Sequence, residues 1–222
     1  MSQKLIKVDF HNHSNASPDS LVKPEELVTI ARKRGLDKLV VTDHNNIRGA
    51  LRCKELDPDL IIVGEEIMTT RGELVTAFVT EEVPRGLEPG EAIKRLREQG
   101  AFISVSHPFD PHRGWDLSDL MEIIDLVDAI EIFNARCYRE EWNLKAMEFA
   151  GERKMAGTVG SDAHSLFEIG AAGMLLPEFN SAEELRAVIR KGKVEAQLSS
   201  PLVHIGSRYA KFVKAFFPAQ ET

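Results

Sequence analysis

The run Ile6-Lys7-Val8-Asp9-Phe10-His11-Asn12-His13, set beside Lys38-Leu39-Val40-Val41-Thr42-Asp43-His44, decides the reading of the fold. Each is a short apolar, β-branched segment that ends in imidazole or carboxylate side chains. Between them, Pro24–Arg34 carries Leu27, Val28 and Ala31 at helical spacing. Pro24 suits a first helical turn and Gly35 a C-terminal stop. Strand, helix and strand in that order predict a βαβ unit.

The alternation continues along the chain. Ile47–Glu55 reads as helix, Leu60–Gly64 as strand, and Leu74–Val79 as strand after the turn Arg71-Gly72. Glu88–Gln99 is a helix closed by Gly100, and Ala101–Val105 is the next strand. Helices at Leu117–Leu126 and Tyr138–Gly151 alternate with strands at Asp128–Phe133 and Met155–Val159. Ala171–Leu176, Ser181–Arg190 and Val194–Leu198 add strand, helix and strand, with Ser181 and Glu184 spaced as a capping box. The class is α/β, with a mainly parallel sheet. About seven βα units favour a closed or nearly closed barrel. One domain is expected over residues 1–222. The tail Val203–Phe217, with Ile205, Tyr209, Phe212, Val213, Phe216 and Phe217, is expected to pack back on it, a homo-oligomer contact being the alternative.

Composition narrows the function. The 222 residues carry 28 Lys and Arg against 35 Asp and Glu, a net charge of −7, which argues against an extended nucleic-acid surface. No apolar run approaches the ~20 residues of a membrane span, and the N-terminus has no signal region. Two cysteines, Cys53 and Cys137, form no CxxC. A cytoplasmic protein is expected. GxGxxG, Walker and Gly-x-Ser-x-Gly patterns are missing from the sequence, which disfavours dinucleotide, triphosphate and serine-nucleophile chemistry.

Five of the seven histidines stand just after expected strands: His11, His13, His44, His107 and His164. Asp19, Asp43, Glu65, Glu66, Glu131 and Asp162 occupy similar places. In a parallel barrel all of these converge on the rim formed by the strands' C-terminal ends, where active sites lie. His11 and His13 alternate onto one side of an extended segment, so both reach one ion. Each motif alone is weak; their shared position is the signal. His112 and His204 lack that context, and a lone Cys137 reads as packing.

Asp9-Phe10-His11-Asn12-His13-Ser14, Thr42-Asp43-His44, Gly64-Glu65-Glu66, Ser106-His107-Pro108 and Gly160-Ser161-Asp162-Ala163-His164, in that order, resemble the motifs of the PHP (polymerase and histidinol phosphatase) family. The similarity runs from about Val8 to Pro177, and residues 171–222 resemble the PHP-associated C-terminal segment of stand-alone phosphoesterases. The resemblance implies a distorted (β/α)7 barrel with two or three divalent ions, Mn, Zn or Fe, at the C-terminal rim. It implies His11, His13, Glu66 and Asp162 on a first ion, Glu66 and His107 on a second, and Asp19, His44 and His164 on a third. Glu66 is preferred to Glu65 because the family reads Gly-x-Glu. Relatives carry a further histidine in the next strand, where this chain has Gly72-Glu73-Leu74-Val75-Thr76-Ala77, so the second ion is expected to be loosely held or missing.

The implied activity is hydrolysis of a small phosphate ester, such as a nucleotide, nucleoside bisphosphate or short oligonucleotide, by metal-activated hydroxide. In the Glu131-Ile132-Phe133-Asn134-Ala135-Arg136 segment, Arg136 is expected to grip phosphate and Asn134 to donate to it, with Arg139 or Asn143 assisting. Asp43 is expected to orient a histidine or a turn. The alternatives are a metal-dependent amidohydrolase and a non-catalytic PHP module that binds metal or nucleotide for a partner.

Overall fold

The computed structural model describes residues 4–216, so Phe217 of the tail lies outside the described residues. The chain opens with β1 (Leu5–Asp9), α1 (Pro24–Lys33), β2 (Lys38–Val41), α2 (Arg48–Leu56) and β3 (Ile61–Val63), whose three strands are parallel neighbours. Pro24 sits in the first turn of α1, where its missing N–H costs nothing. Gly35 just beyond has φ 73°, a backbone that a Cβ disfavours. A hairpin of β4 (Glu66–Met68) and β5 (Glu73–Ala77) follows. Then come α3 (Pro89–Glu98), β6 (Phe102–Val105), α4 (Leu117–Ile123), β7 (Ala129–Asn134), α5 (Glu140–Glu152) and β8 (Ala156–Gly160). The last elements are β9 (Ala172–Pro177), α6 (Ala182–Val188), β10 (Lys193–Ala196) and α7 (Val203–Phe216).

The α/β class is as expected, but the strands form two five-stranded sheets, β10-β9-β1-β2-β3 and β4-β5-β6-β7-β8, and no closed barrel is detected among the described residues. Nor is the pairing mainly parallel. β1–β9, β9–β10, β4–β5 and β5–β6 are antiparallel. The turn between β4 and β5 is too short for the crossover that a parallel pair needs, and no α-helix joins β8 to β9. The sheets meet at two seams. At one, the Phe10 and His13 N–H groups donate to Val159 O (3.2 Å) and Ala163 O (2.9 Å); at the other, Val79 N–H donates to Val63 O at 3.1 Å.

Alternation sorts each strand's side chains. Val8, Phe10, Val40 and Ile62 from the first sheet share an interior core with Phe102, Ala129 and Val159 from the second. Leu39, Val41 and Ile61 on one sheet, and Ile103, Val105 and Ile130 on the other, pack outward under helices. Both faces are buried, which is why the strands read as nearly continuous apolar runs. Leu185, Val188 and Ile189 of α6 and the turn after it complete the interior core. Arg186 of α6 donates to Ala101 O (2.5 Å) and Asp128 Oδ1 (2.9 Å), just ahead of β6 and β7. That end is thereby covered, and the C-terminal strand ends are left for the site. The Ser181 hydroxyl caps α6 by accepting Glu184 N–H, while the Glu184 carboxylate takes the N–H of Asn180.

Helix α7 contacts the rest of the chain through polar side chains and buries Ala210. Ser207 bonds Arg136, and Lys214 donates to the carbonyls of Asn15 and Ser17. Ile205, Tyr209, Phe212 and Phe216 point to solvent. Among the described residues, no helix is long and apolar enough to cross a membrane.

Candidate metal centre

The first five residues of the site come from strand ends that alternation and short loops bring together. His11 and His13 follow β1, His44 follows β2, Glu66 opens β4, and His107 follows β6. Asp162 and His164 follow β8, and Asp19 reaches in from the loop before α1. All eight expected metal ligands gather in one cluster. Glu66 Oε2 lies 3.3 Å from His11 Nε2, 3.4 Å from His13 Nε2 and 3.0 Å from His44 Nδ1. Asp162 Oδ1 lies 3.6 Å from His11 Nε2, 3.3 Å from His13 Nε2 and 3.4 Å from His164 Nδ1. Asp19 Oδ1 is 3.5 Å from His44 Nε2 and 3.2 Å from His164 Nε2. Glu66 Oε1 is 3.3 Å from His107 Nε2.

Several of these atoms, His11 Nε2, His13 Nε2, His107 Nε2 and Asp19 Oδ1 among them, are buried without a hydrogen-bond partner. Orphaned buried donors and acceptors are costly, and a cation shared among them removes the cost. Three overlapping groups have donor atoms close enough to hold one ion: His11, His13 and Glu66; His13, His44 and His164; His44, Glu66 and Glu73. The residues fit divalent metal.

Neighbouring side chains set the tautomers. Glu131 accepts His11 Nδ1–H at 3.0 Å and His107 N–H at 2.8 Å. Ser17 Oγ donates to Asp43 Oδ1 (2.8 Å) and accepts from His13 Nδ1 (3.0 Å) and His44 N–H (3.0 Å). The two ring bonds turn the bare Nε2 of His11 and His13 toward the cluster, and the bonds from His107 and His44 are made by their main-chain amides. Asp43 thus reaches His13 through Ser17 and also accepts the Ser14 N–H and hydroxyl, each at 2.7 Å. Asn134 Nδ2 donates to Glu131 Oε2 (3.1 Å) and Asp162 Oδ2 (3.2 Å). Asn143 brackets the Asn134 backbone, its Oδ1 accepting Asn134 N–H at 3.0 Å, and so acts on the loop. Asp162 (φ 51°) and His107 (φ 24°) sit in left-handed backbone, a strain that concentrates at functional sites.

Charge in the cluster is strongly redistributed. Burial opposes the charge on Glu66, yet His11 and His44 outweigh it and hold the carboxyl well below its ordinary range. Burial also opposes ionisation of Asp162, and His11 and Arg113 reverse that. His107 is pushed up to about 9: burial and Arg113 oppose its charge, and Glu66 and Glu73 prevail. His13 falls well below its ordinary value because burial, His164 and His44 all act in one direction.

A sequence profile described as PHP domain matches residues 9–94, and one described as PHP-associated matches 140–194. Two uncharacterised proteins of Methanocaldococcus jannaschii are similar. One is 38% identical over 180 residues, covering 79% of this chain and 72% of that protein. The other is 36% identical over 143 residues, covering 59% of this chain and 82% of that protein. The chain belongs to the PHP family. In fold it resembles a Bacteroides vulgatus two-domain protein described as containing a predicted PHP-like metal-dependent phosphoesterase. The TM-score is 0.72 at 21% identity, over 88% of this chain and 66% of that one.

Glu73 and Arg136 of this PHP chain sit differently from the sequence reading, which prefers Glu66 to Glu65. Glu73, passed over because the strand lacks a histidine, puts Oε2 3.2 Å from His107 Nε2. It is the first residue of β5, paired with Met68 of β4, and a carboxylate at the start of that strand was the available signal. Glu65 points away from the cluster and accepts Val83 N–H at 2.9 Å. Arg136 is buried, with Nε 3.1 Å from Glu168 Oε1 and Nη2 donating to Ser207 Oγ at 2.7 Å. A cavity of about 1070 Å³ opens over the centre. Asp19, His44, Glu73 and His164 line its floor; Arg113, Arg139, Arg208 and Lys211 are among its cationic walls. His112 and His204 also border it, and His204 stacks on Tyr138 with ring centroids 4.0 Å apart.

Proposed function

We propose that this PHP-family protein is a metal-dependent phosphoesterase acting on a small phosphate ester, a nucleotide, nucleoside bisphosphate or short oligonucleotide. The observation that carries the reading is the convergence of Glu66 Oε2 on three imidazoles at 3.0–3.4 Å, beneath a cavity whose walls are cationic. His11, His13, Glu66 and Asp162 would hold a first ion, Glu66, Glu73 and His107 a second, and Asp19, His44 and His164 a third. Mixed imidazole and carboxylate donors suit Mn, Zn or Fe. Divalent ions bound there would lower the pKa of water toward neutrality and offset charge on the phosphoryl oxygens.

The chain's own groups supply orientation and electrostatics. Glu131 and the Asp43–Ser17 pair keep Nδ1 protons on His11 and His13, so their Nε2 lone pairs face the centre. Lys211, with Nζ 3.3 Å from Asp19 Oδ2, and the arginines of the walls attract an anionic substrate to a chain of net charge −7. Cys137 is no competing nucleophile, because burial raises its thiol pKa.

The test is phosphate release from p-nitrophenyl phosphate, nucleoside mono- and bisphosphates, histidinol phosphate and a short oligonucleotide with Mn²⁺ present. Release by wild type and none by folded Asp162→Ala supports the reading. Equal release by both variants overturns it.

A further inference from the structure

We infer that Arg113, on the loop between β6 and α4, is the residue that grips the substrate's phosphoryl oxygens, in the place the sequence suggested for Arg136; this rests on the phosphoesterase reading above.

The loop is built to deliver this side chain. Asp110 O accepts Gly114 N–H at 2.7 Å, Asp110 Oδ1 accepts His112 N–H at 2.9 Å, and Pro108 O accepts Trp115 N–H at 3.0 Å. A Cβ on Gly114 would come within 2.5 Å of the carbonyls of Asp110 and Pro108, so only glycine closes the turn without displacement. Trp115 pins the far end, its indole N–H donating to Glu73 O at 3.1 Å and its ring lying against Gly72. The turn is thus tied to the strand that carries Glu73.

From this turn the guanidinium enters the cluster. Arg113 Nε donates to Asp110 Oδ2 at 3.0 Å and Nη1 to Asp162 Oδ2 at 2.6 Å. Asp162 divides its oxygens: Oδ1 faces His11, His13 and His164, and Oδ2 faces Arg113 and Asn134. Arg113 therefore stands immediately beside the centre, on the side of Asp162 away from the imidazoles. Its Nη2 is buried and has no hydrogen-bond partner among the described residues. A buried guanidinium N–H without an acceptor is costly, and a phosphoryl oxygen in the cavity supplies the acceptor.

Arg136 is committed differently: its Nε lies 3.1 Å from Glu168 Oε1 and its Nη2 donates to Ser207 Oγ of α7, and neither nitrogen bonds Asp162. It ties α7 to the rim, whereas Arg113 lines the cavity with its unpartnered Nη2 buried beside Asp162.

The test uses Mn²⁺-loaded full-length protein as wild type, Arg113→Ala and Arg113→Lys. Three quantities are read: metal per chain, the Kd for inorganic phosphate, and phosphate release with and without added guanidinium. Asn134 still holds Asp162 Oδ2 in the variants, so metal content should match wild type. Phosphate binding should weaken on the order of 10- to 100-fold, the loss of one or two charge-assisted hydrogen bonds. Guanidinium should restore part of the release lost in Arg113→Ala. Phosphate affinity within twofold of wild type would overturn the inference. So would a fall in metal content that accounts for the whole loss, which would make Arg113 a support for Asp162 alone. A wild type that binds phosphate and releases none overturns the phosphoesterase reading while leaving the affinity comparison decisive for Arg113; one that binds no phosphate overturns both.

Discussion

Glu73 Oε2 lies 3.2 Å from His107 Nε2, and His107 Nε2 lies 3.3 Å from Glu66 Oε1, so a carboxylate stands where the sequence offered no histidine. Glu73→Ala should lower the metal bound at saturation by one ion per chain, leaving the ions on His13 and His164 in place. Glu73→His should retain that ion. Metal analysis of protein freed of excess metal checks both, and unchanged stoichiometry in Glu73→Ala would remove Glu73 from the ligand set.

Ser17 connects Asp43 to two histidines through a single hydroxyl. Ser17→Ala should weaken metal binding by about 10- to 100-fold, the usual cost of losing a group that orients a ligand, with little change in folding. Competition against a chelator measures it. Wild-type affinity in the variant would mean that packing alone orients His13.

Gly160 ends β8 directly against His11, and a Cβ there would fall 2.7 Å from Glu131 Oε1 as well as against the His11 Cβ. Gly160→Ala should cost about 1–3 kcal/mol in stability, as overpacking does, and should loosen metal by moving His11. Denaturant unfolding with and without metal separates the two effects.

Asp128 ties α3 and α6 to the sheet edges, accepting from Arg97 Nη1 (2.8 Å), Arg186 Nε (2.9 Å) and Ile103 N–H (2.9 Å). Burial raises its pKa, but the hydrogen bonds from Arg186 and Arg97 outweigh this and bring it below the ordinary value. A depressed carboxyl stabilises the fold fully above its unfolded pKa of about 4 and loses that contribution as pH falls through the lower folded value. Asp128→Asn should therefore lower Tm by a constant amount between pH 6 and 8, with the gap narrowing in acid below about pH 4. A gap that widens in acid would contradict this.

Much of the fold was legible because the central strands are buried on both faces and most helices carry an apolar stripe. Val40 and Leu39 face different cores, yet both are apolar, so the segment announces itself. Strand direction leaves no such mark, which is why the antiparallel β9 and β10 were read as further parallel units. β4 has three residues, too few for any period. The site was legible where ligands follow strands: His11, His13, His44, His107 and His164 share that context. Glu73 was hidden by expecting histidine there. Arg113 was hidden because its place depends on how residues 107–115 fold back on themselves. The engagement of Arg136 depends on Glu168 and Ser207, more than 30 positions away in the sequence, and no local pattern reports it.

The most direct measurement of the central claim follows bound metal and phosphate release together as chelated protein is titrated with Mn²⁺. The account predicts no release from the chelated chain and release that rises in step with occupancy, absent in Glu66→Gln at the same total metal. Release that survives chelation, or full occupancy with no release from any phosphate ester in the panel, would contradict it.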